Sequence, residues 1–539
     1  MAEPPAADLE LGAYTEHGPW VIDPDEITWL ATAHQLRLDV ARRLPDLTRP
    51  RRVPPGLRVI TTVRHLGAAV AGWAVTERRA GGSTKIAGIS RRIREAAEAL
   101  GPTYIKLGQI LSSGEGIFPE EVVTEFKKCR DQVPAEPWDV VQRVVEEELG
   151  RTIATTFASF ERTPVAAASI AQVHRATLLD GTEVVVKVQR PSVGQRVHKD
   201  LAVMAWLAPY LVGRIPVSAL ANPPALVELF AETITEELDF RLEAQNMLDV
   251  ARSFADLDQR GYVVPRPHPT LVTRRMLVME RLDGYRFEDV VGMKEGGVDT
   301  EAVVRTGMIG FMEGAMVEGI FHGDLHAGNL FVLPDGKVAL LDFGITGRLP
   351  EHKRLAFLAL LVGASNNDLD MQLAGLRDLG ALPPDVDLQK LVDELGLDQP
   401  VVDPTTMSPD ELVSEIQRTV KALLGYGARM PKELMLFVKN MVFLDGAIAT
   451  LAPDLDLFAE ITHLSLTFAE KHGERIMSEL GLQFDPTWQP DLTGVKASVG
   501  VEAGVESLTY REIQGRRNQI RENLEGARAA RAPRTRWRR

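Results

Sequence analysis

Apolar and polar positions change period several times along this chain, and each change predicts an element. Over 27–43, and again near 57–78 and 84–100, apolar residues recur every three to four positions, the spacing of an amphipathic helix. At Phe157 the period drops toward two, and 157–189 reads as a small β-sheet. Asp180-Gly181 separates the runs 173–179 and 182–189, a strong short-range hairpin signal. Within the second run Val184, Val186 and Val188 share one face, Val185 and Lys187 the other. Helical spacing returns over 193–210 and 224–254. Two strands are predicted in 265–282, the second ending in Val278-Met279-Glu280-Arg281-Leu282. Two more short apolar runs, 329–333 and 337–342, flank Pro334-Asp335-Gly336 and read as a β-hairpin. Proline presets φ in that turn and glycine takes the positive-φ position. Beyond Gly344 the pattern is almost wholly helical, near 351–365, 367–379, 387–397, 408–425, 430–451 and 454–480, with a linker over 486–500. No internal repeat is present. The chain thus reads as α+β.

Composition narrows the class. Apolar residues make up 45% and charged residues 25% of the 539 positions, which is enough for an ordinary packed core. The single cysteine, Cys129, excludes an intrachain disulfide framework and a cysteine-based zinc site, and it fits a reducing compartment. It falls in a helical pattern and reads as a core thiol. A net charge of -14 argues against generic nucleic-acid binding, so no nucleic-acid partner is expected. The charge is uneven: from Arg511 onward ten arginines face three glutamates, a charge of +7 that leaves -21 on the rest. That tail is a candidate for peripheral contact with anionic membrane, and equally for a solvated end. The acidic, proline-rich start shows no secretory pattern, and residues 1–25 are expected to be loosely attached. The stretch 59–76 carries Arg64 and His65, so it reads as a surface or partly buried helix rather than a membrane span.

The candidate chemistry follows from the second hairpin. A hairpin folds its ends together, so Asn329 and Asp342 come side by side, with Asp324 five residues upstream in the entering loop. Two carboxylates and an amide then converge. Hard oxygen donors of this kind suit Mg²⁺, which takes few protein ligands and leaves room for substrate phosphates. The order Asp-x-x-x-x-Asn, then Asp342-Phe343-Gly344, is that of the catalytic and metal loops of protein kinases. Lys187, on an otherwise apolar strand, is costly to bury unless a phosphate or carboxylate pairs with it. The preceding stretch, including Ala166, Ala167, Ala168 and Ser169, either lets backbone N–H groups approach phosphate or makes a tight packing turn. Lys106 and Gln109 lie three apart on one face of a helix begun by Pro102, as a solvated pair or a site. In the predicted helix through 236–246, Asp239 and Glu243 fall one turn apart on one face and Glu237 points away. Acidic helices are usually solvated faces.

With these residues in hand, the chain resembles the UbiB/AarF-type atypical kinase family, the coenzyme-Q-associated members of the protein-kinase-like fold, over roughly 92–348. Lys106-Leu-Gly-Gln109 resembles that family's Lys-x-Gly-Gln signature, carried on a helical extension over the active site. Ala166 to Ser169 resembles its alanine-rich loop. Lys187 resembles the kinase strand lysine, and Glu243 its helix partner. Glu237-Leu-Asp239 resembles the Glu-x-Asp motif that contacts the extension. His322-Gly-Asp324 stands where protein kinases have His-Arg-Asp, and Asn329 and Asp342 resemble the metal ligands. The resemblance implies a bilobal fold: a small mixed N-lobe sheet, a helical N-terminal extension and a mostly helical C-lobe. It also implies ATP and Mg²⁺ as cofactors. The boundaries expected are 1–83 N-terminal segment, 84–150 extension, 151–283 N-lobe, 284–485 C-lobe, and 486–539 linker and basic tail.

By the same resemblance Lys187 and Asp324 would be catalytic and Asn329 and Asp342 would hold metal. Glu280, at the strand end leading to the hinge, joins Lys106, Gln109, Glu237, Asp239, Glu243 and the alanine-rich loop as nucleotide contacts. The expected activity is an atypical kinase or ATPase acting on a small-molecule or lipid-linked acceptor in isoprenoid quinone metabolism. The location expected is cytoplasmic with peripheral membrane contact. The alternatives are a nucleotide-sensing pseudokinase and an aminoglycoside- or choline-type kinase, which shares His-Gly-Asp-x-His-x-Gly-Asn but not the Lys-x-Gly-Gln and alanine-rich segments. Two departures stand out. Arg348-Leu-Pro350 follows Asp342-Phe-Gly too soon for a long activation loop or a protein-substrate platform. The chain also ends in arginines, where family members often carry membrane-spanning helices.

Overall fold

The computed structural model describes residues 19–20, 24–50, 53–77, 82–112, 120–129, 134–211, 223–366, 368–396, 426–428, 431–498, 501–502, 504–518 and 522. The helix expected over 408–425, residues 1–18 and the tail from 523 onward lie outside them.

Four helices open the described chain: α1 (Leu30–Thr48), α2 (Arg58–Thr76), α3 (Gly82–Leu100) and α4 (Pro102–Ser112). Short α5 (Glu120–Phe126) and α6 (Trp138–Leu149) follow. The sheet runs β1 (Phe157–Phe160), β3 (Ala171–Leu178), β4 (Glu183–Gln189), β7 (Met276–Glu280) and β6 (Pro267–Val272), with β2 (Ala166–Ala167) paired to β3. Every neighbouring pair in it is antiparallel. The Asp180-Gly181 hairpin forms as expected: the Leu178 N–H donates to Thr182 O at 2.9 Å, and Gly181 takes φ +90°.

The alternation on β4 decides what covers the sheet. Val184, Val186 and Val188 are buried with Val141, Val144 and Val145 of α6. Val185 faces the opposite layer, together with Leu277 and Phe240. That layer begins with α9 (Phe240–Asp256), reached through α7 (Val193–Leu211) and α8 (Pro223–Glu236). The extension forms a core of its own, in which Tyr104, Ile110 and Phe126 pack on Val197, Phe230 and Leu238.

One expectation fails here. The helix predicted through 224–254 is interrupted at 237–239, where Asp239 has extended backbone and caps α9 by accepting from the Arg241 N–H. Asp, Asn and Ser compete with the helix for backbone N–H groups, so an acidic run can break where it looks continuous.

Beyond β7 a second sheet joins β5 (Tyr262–Val263), β11 (Val338–Leu340), β10 (Leu330–Val332) and β8 (Tyr285–Arg286). β10 and β11 are the second predicted hairpin, in register Leu330↔Leu340. Gly336 takes φ +85° in its turn, and the Leu341 N–H donates to Asn329 O at 2.9 Å, so 329 and 341 face each other. After Gly344 the chain returns directly: β12 (Thr346–Arg348) pairs with β9 (Ile320–His322). The remainder is helical, with α10 (Val290–Glu295) and α11 (Thr300–Glu313) before the hairpin. After it come α12 (Glu351–Ser365), α13 (Leu369–Asp378), α14 (Leu388–Leu395), α15 (Lys432–Leu451), α16 (Leu457–Glu479) and α17 (Thr493–Ser498).

Three peripheral expectations are now placed. α2 buries Val59, Thr62 and Ala69 and exposes Ile60, Val63, Val70 and Val75, a helix lying at the surface. Within 1–25, Trp20 packs against the His268 ring in a tilted pair with centroids 4.8 Å apart. The basic tail does not begin free. Residues 510–518 are helical, Tyr510 and Ile513 are fully buried, and Arg517 meets Asp445 at 2.7 Å.

Candidate active site

Lys187 leaves β4 on the face opposite Val184, Val186 and Val188 and enters a carboxylate pair. Its Nζ lies 2.7 Å from Glu243 Oε1 and 3.2 Å from Asp342 Oδ1. The side chain is 13% exposed and its ammonium sits 5.5 Å from the Phe240 ring centroid. Burial works to discharge it, but Asp342 and then Glu243 outweigh burial and hold the ammonium charged. Burial, with Asp342 close by, pushes Glu243 up to about 7 against the pull of Lys187. The partner that the strand pattern demanded is therefore present twice.

Asp342 sits at the end of the hairpin in the left-handed region, φ +58°. Its neighbours fix that backbone. His322 Nε2 faces Asp342 O at 2.9 Å and Leu341 O at 3.1 Å, so it carries the ring proton, while Nδ1 accepts from the Asp324 N–H at 3.2 Å. Both nitrogens are thus committed in the neutral form, and burial lowers the histidine's pKa to match. The Asn246 side-chain amide, one turn beyond Glu243 on α9, donates to Phe343 O at 2.8 Å. Gly323 is needed because a Cβ there would fall 2.8 Å from Ile345 Cγ2 and 3.0 Å from Ile345 O. Asp342 itself is half exposed. Burial would raise its carboxyl, but Lys187 and then Lys106 draw it well below the usual range.

Asp324 and Asn329 complete the loop. Asn329 Nδ2 donates to Asp324 O at 3.1 Å, which leaves its side-chain oxygen as the group a cation could use. The Asp324 carboxylate pairs with Lys439 of α15. Burial opposes ionisation there, yet Lys439 first, then Lys106 and His326, hold Asp324 far below the carboxylate range. His322 ties the two loops together, accepting from the Asp324 N–H and donating to Asp342 O, so the backbones that carry the two acids and the amide meet at one place.

The extension supplies a roof. Lys106 of α4 meets Glu237 Oε1 at 2.9 Å, both nearly buried. Glu237 is raised by burial and by Asp342, against the pull of Lys106. The interruption before α9 therefore turns Glu237 into the site, where a continuous helix had pointed it away. Asp239 is instead taken by Arg241, at 2.7 Å. Gln109 lies half-buried on the same helix as Lys106. Glu280 accepts from the Arg266 N–H at 3.2 Å, so its carboxylate ties the sheet edge to the strand beside it. Ala166 and Ala167 pair with Val173 and Gln172, and the Ala168 N–H donates to Ala171 O at 2.8 Å, a tight hairpin with Ser169 buried at its tip.

A family description, the ABC1 atypical kinase-like domain, matches residues 128–373. An uncharacterized protein of Mycobacterium tuberculosis is 36% identical over 369 residues, 67% of this chain and 74% of that one. The probable protein kinase UbiB of Shewanella halifaxensis is 30% identical over 413 residues, 74% of each chain. The chain belongs to the ABC1/UbiB atypical kinase-like family. ACTIVITY OF BC1 COMPLEX KINASE 1 of Arabidopsis thaliana, a chloroplastic member, is 31% identical over 69% of this chain and 54% of its own. The family match begins at 128 and so omits Lys106, whose ammonium meets Glu237, and Gln109, which lies half-buried on the same helix.

Four residues at this family member's site escaped the sequence reading. Lys439 and Asn440 arrive from α15, more than a hundred residues after the loop they hold. Asn440 Oδ1 accepts from the Leu325 N–H at 3.0 Å, and its amide donates to His322 O. A Lys-Asn pair inside an apolar helix was the available signal. That helix is, among the described residues, the one long and apolar enough to cross a membrane, yet it buries Phe437, Asn440 and Leu444 in the core. Asn246 carried no signal beyond its spacing from Glu243. Arg190 clamps the alanine-rich turn, donating to Ala168 O at 2.9 Å and pairing with Glu136 at 3.1 Å.

Cys129 is buried and its thiol is pushed up to about 11, which removes it as a nucleophile.

Proposed function

We propose that this chain is an atypical kinase or ATPase. It would bind Mg-ATP between the sheet and the helical part, and transfer or hydrolyse the γ-phosphate. The observation that carries this reading is Lys187 bridging Glu243 and Asp342. A lysine held rigidly by one acid is poised to receive phosphate oxygens, and its second acid is poised to receive a cation. Asn329 and Asp342 would hold Mg²⁺, and Lys187 the α- and β-phosphates. Among the described residues no three His, Cys, Asp or Glu side chains are placed to hold a metal ion together, so one amide and one carboxylate would leave phosphates to complete the coordination. The cation, when bound, neutralises phosphate charge. Asp324, kept ionised by Lys439, would orient or deprotonate an acceptor hydroxyl or water. Glu280 and the turn from Ala166 to Ser169 would border the nucleotide, and Arg190 would fix that turn.

Two features favour a small-molecule or lipid-linked acceptor over a protein. The segment after Gly344 goes straight into the β12–β9 ladder and leaves no activation loop for docking a polypeptide. Lys106, paired with Glu237, would stand in the way of an extended peptide. The UbiB name among the relatives adds isoprenoid quinone metabolism as the pathway to test. The same roof favours the second reading, a nucleotide-sensing scaffold without turnover.

Purified full chain should bind a fluorescent ATP analogue with Mg²⁺ and release ADP, with and without liposomes and quinone-precursor phenols. Asp342→Asn should remove Mg-dependent turnover while the circular dichroism and melting curve stay those of the parent. Binding without ADP release would select the scaffold reading; undiminished turnover in Asp342→Asn would remove the metal assignment.

A further inference from the structure

Away from the nucleotide site, the helical part contains a cavity of about 510 Å³. Protein interiors are packed with few voids larger than a water molecule, and small-molecule sites occupy roughly 300–1,000 Å³. The space is of the second kind. It lies among α11, α12, α15, α16 and the segment 482–488. Along α16 its wall extends from Ile461 to Met477. At 1.5 Å per residue that is about 24 Å, a long slot rather than a compact chamber.

The walls say what would fill it. Met308, Met312, Met316, Met441 and Met477 all line the slot, and methionine adapts to flexible apolar shapes. Ser465 and Gln483 add polar atoms to the lining, and a hydrogen-bonded polar group marks one end. Ser365 and Asn366 close α12 there, and the Trp488 indole donates to Asn366 Oδ1 at 2.8 Å. The charged side chain in the lining is Asp485, beside Trp488 at that end. A long hydrocarbon therefore suits the slot. A neutral hydrogen-bonding head suits its mouth, and a carboxylate head would meet Asp485.

From this geometry we infer that the cavity binds an uncharged amphiphile, a long hydrocarbon chain ending in a hydroxyl-type head. Two sources share that chemistry, straight-chain and isoprenoid alcohols. The site is separate from the phosphoryl centre but backs onto it, since Met441 and Leu444 line the slot on the helix that carries Lys439 and Asn440.

The test uses the full chain and a neutral apolar fluorophore, N-phenyl-1-naphthylamine. Its fluorescence should rise saturably at one site per chain. Dodecanol and farnesol should displace it, and the tighter of the two identifies the source. Dodecanoate should compete at least tenfold more weakly than dodecanol. Two variants that fill the slot from α16, Ala469→Phe and Ser465→Leu, should each weaken fluorophore binding at least tenfold without lowering the melting temperature. If one fails to fold, the other decides. Absence of saturable binding in the parent, or parent-like binding in the folded variants, would overturn the site. Dodecanoate binding as tightly as dodecanol would overturn the neutral head.

Discussion

Two lysines hold the two aspartates of the site, and they are supported in opposite ways. Lys187 stands on a strand in the middle of a sheet and is shared by two acids, Glu243 and Asp342. Lys439 stands on a helix packed from behind, and the carboxylate it meets is Asp324. The first lysine has a partner to keep whichever way Asp342 turns, so on the proposed reading Asp342 would pass to a cation without stranding a buried charge. Among the described residues the second has no such reserve in its ion pairs: if Asp324 moves, Lys439 loses the acid it neutralises. The sheet side is thus built to exchange partners, and the helix side to hold one group still.

Breaking the exchange side should have the largest effect. Lys187→Ala leaves Glu243 and Asp342 facing each other without a cation, and turnover should fall at least about a thousandfold, as for a transition-state contact to phosphate. Single-turnover kinetics with Mg-ATP would measure it. Lys439→Met should cost less, about ten- to a hundredfold in kcat, with nucleotide affinity nearly kept. It should also move the acid limb of the kcat profile to higher pH. Asp324 ionises easily in the parent because of Lys439, so without that lysine its proton leaves later. An unmoved acid limb would show that Asp324 does not titrate in turnover.

A buried acid outside the Lys187 and Lys439 ion pairs serves as the control. Glu313 accepts from Gln259 at 2.6 Å and from Lys471 at 2.7 Å, and it meets His472 Nε2 at 2.9 Å. Burial would raise its pKa, but these bonds lower it. Its contribution is present above the ordinary carboxyl pKa of about 4.3 and is lost as pH falls below that. Glu313→Gln should therefore destabilise by about 2 kcal/mol at neutral pH, with the gap closing in acid. Urea melts at several pH values test this. The smallest effect is expected from Ala167→Gly, a few-fold change in ATP against ADP preference, because glycine frees a strand position now paired with Gln172. Equal affinity ratios in mutant and parent would leave that turn a packing device.

What could be read beforehand divides along the same line. Lys187 was legible because strand alternation and the cost of burying charge are local facts. Both hairpins were legible because Asp180-Gly181 and Pro334-Asp335-Gly336 encode their own turns. Glu237 was misplaced although Asp239, a good N-cap residue, stood two positions on; helical periodicity outweighed the cap. Lys439 and Asn440 were missed for a different reason. Their partners lie 115 and 118 residues away for Asp324 and the His322 carbonyl, and no local pattern records such a pairing.

The positive φ at Asp342 has a practical consequence for anyone editing this gene. Asparagine enters that backbone region nearly as readily as aspartate, whereas alanine does so at a cost of about 1 kcal/mol or more. An asparagine exchange is therefore an almost pure subtraction of charge. An alanine scan would mix lost chemistry with a bent hinge of main chain, and could credit the carboxylate with damage done by geometry.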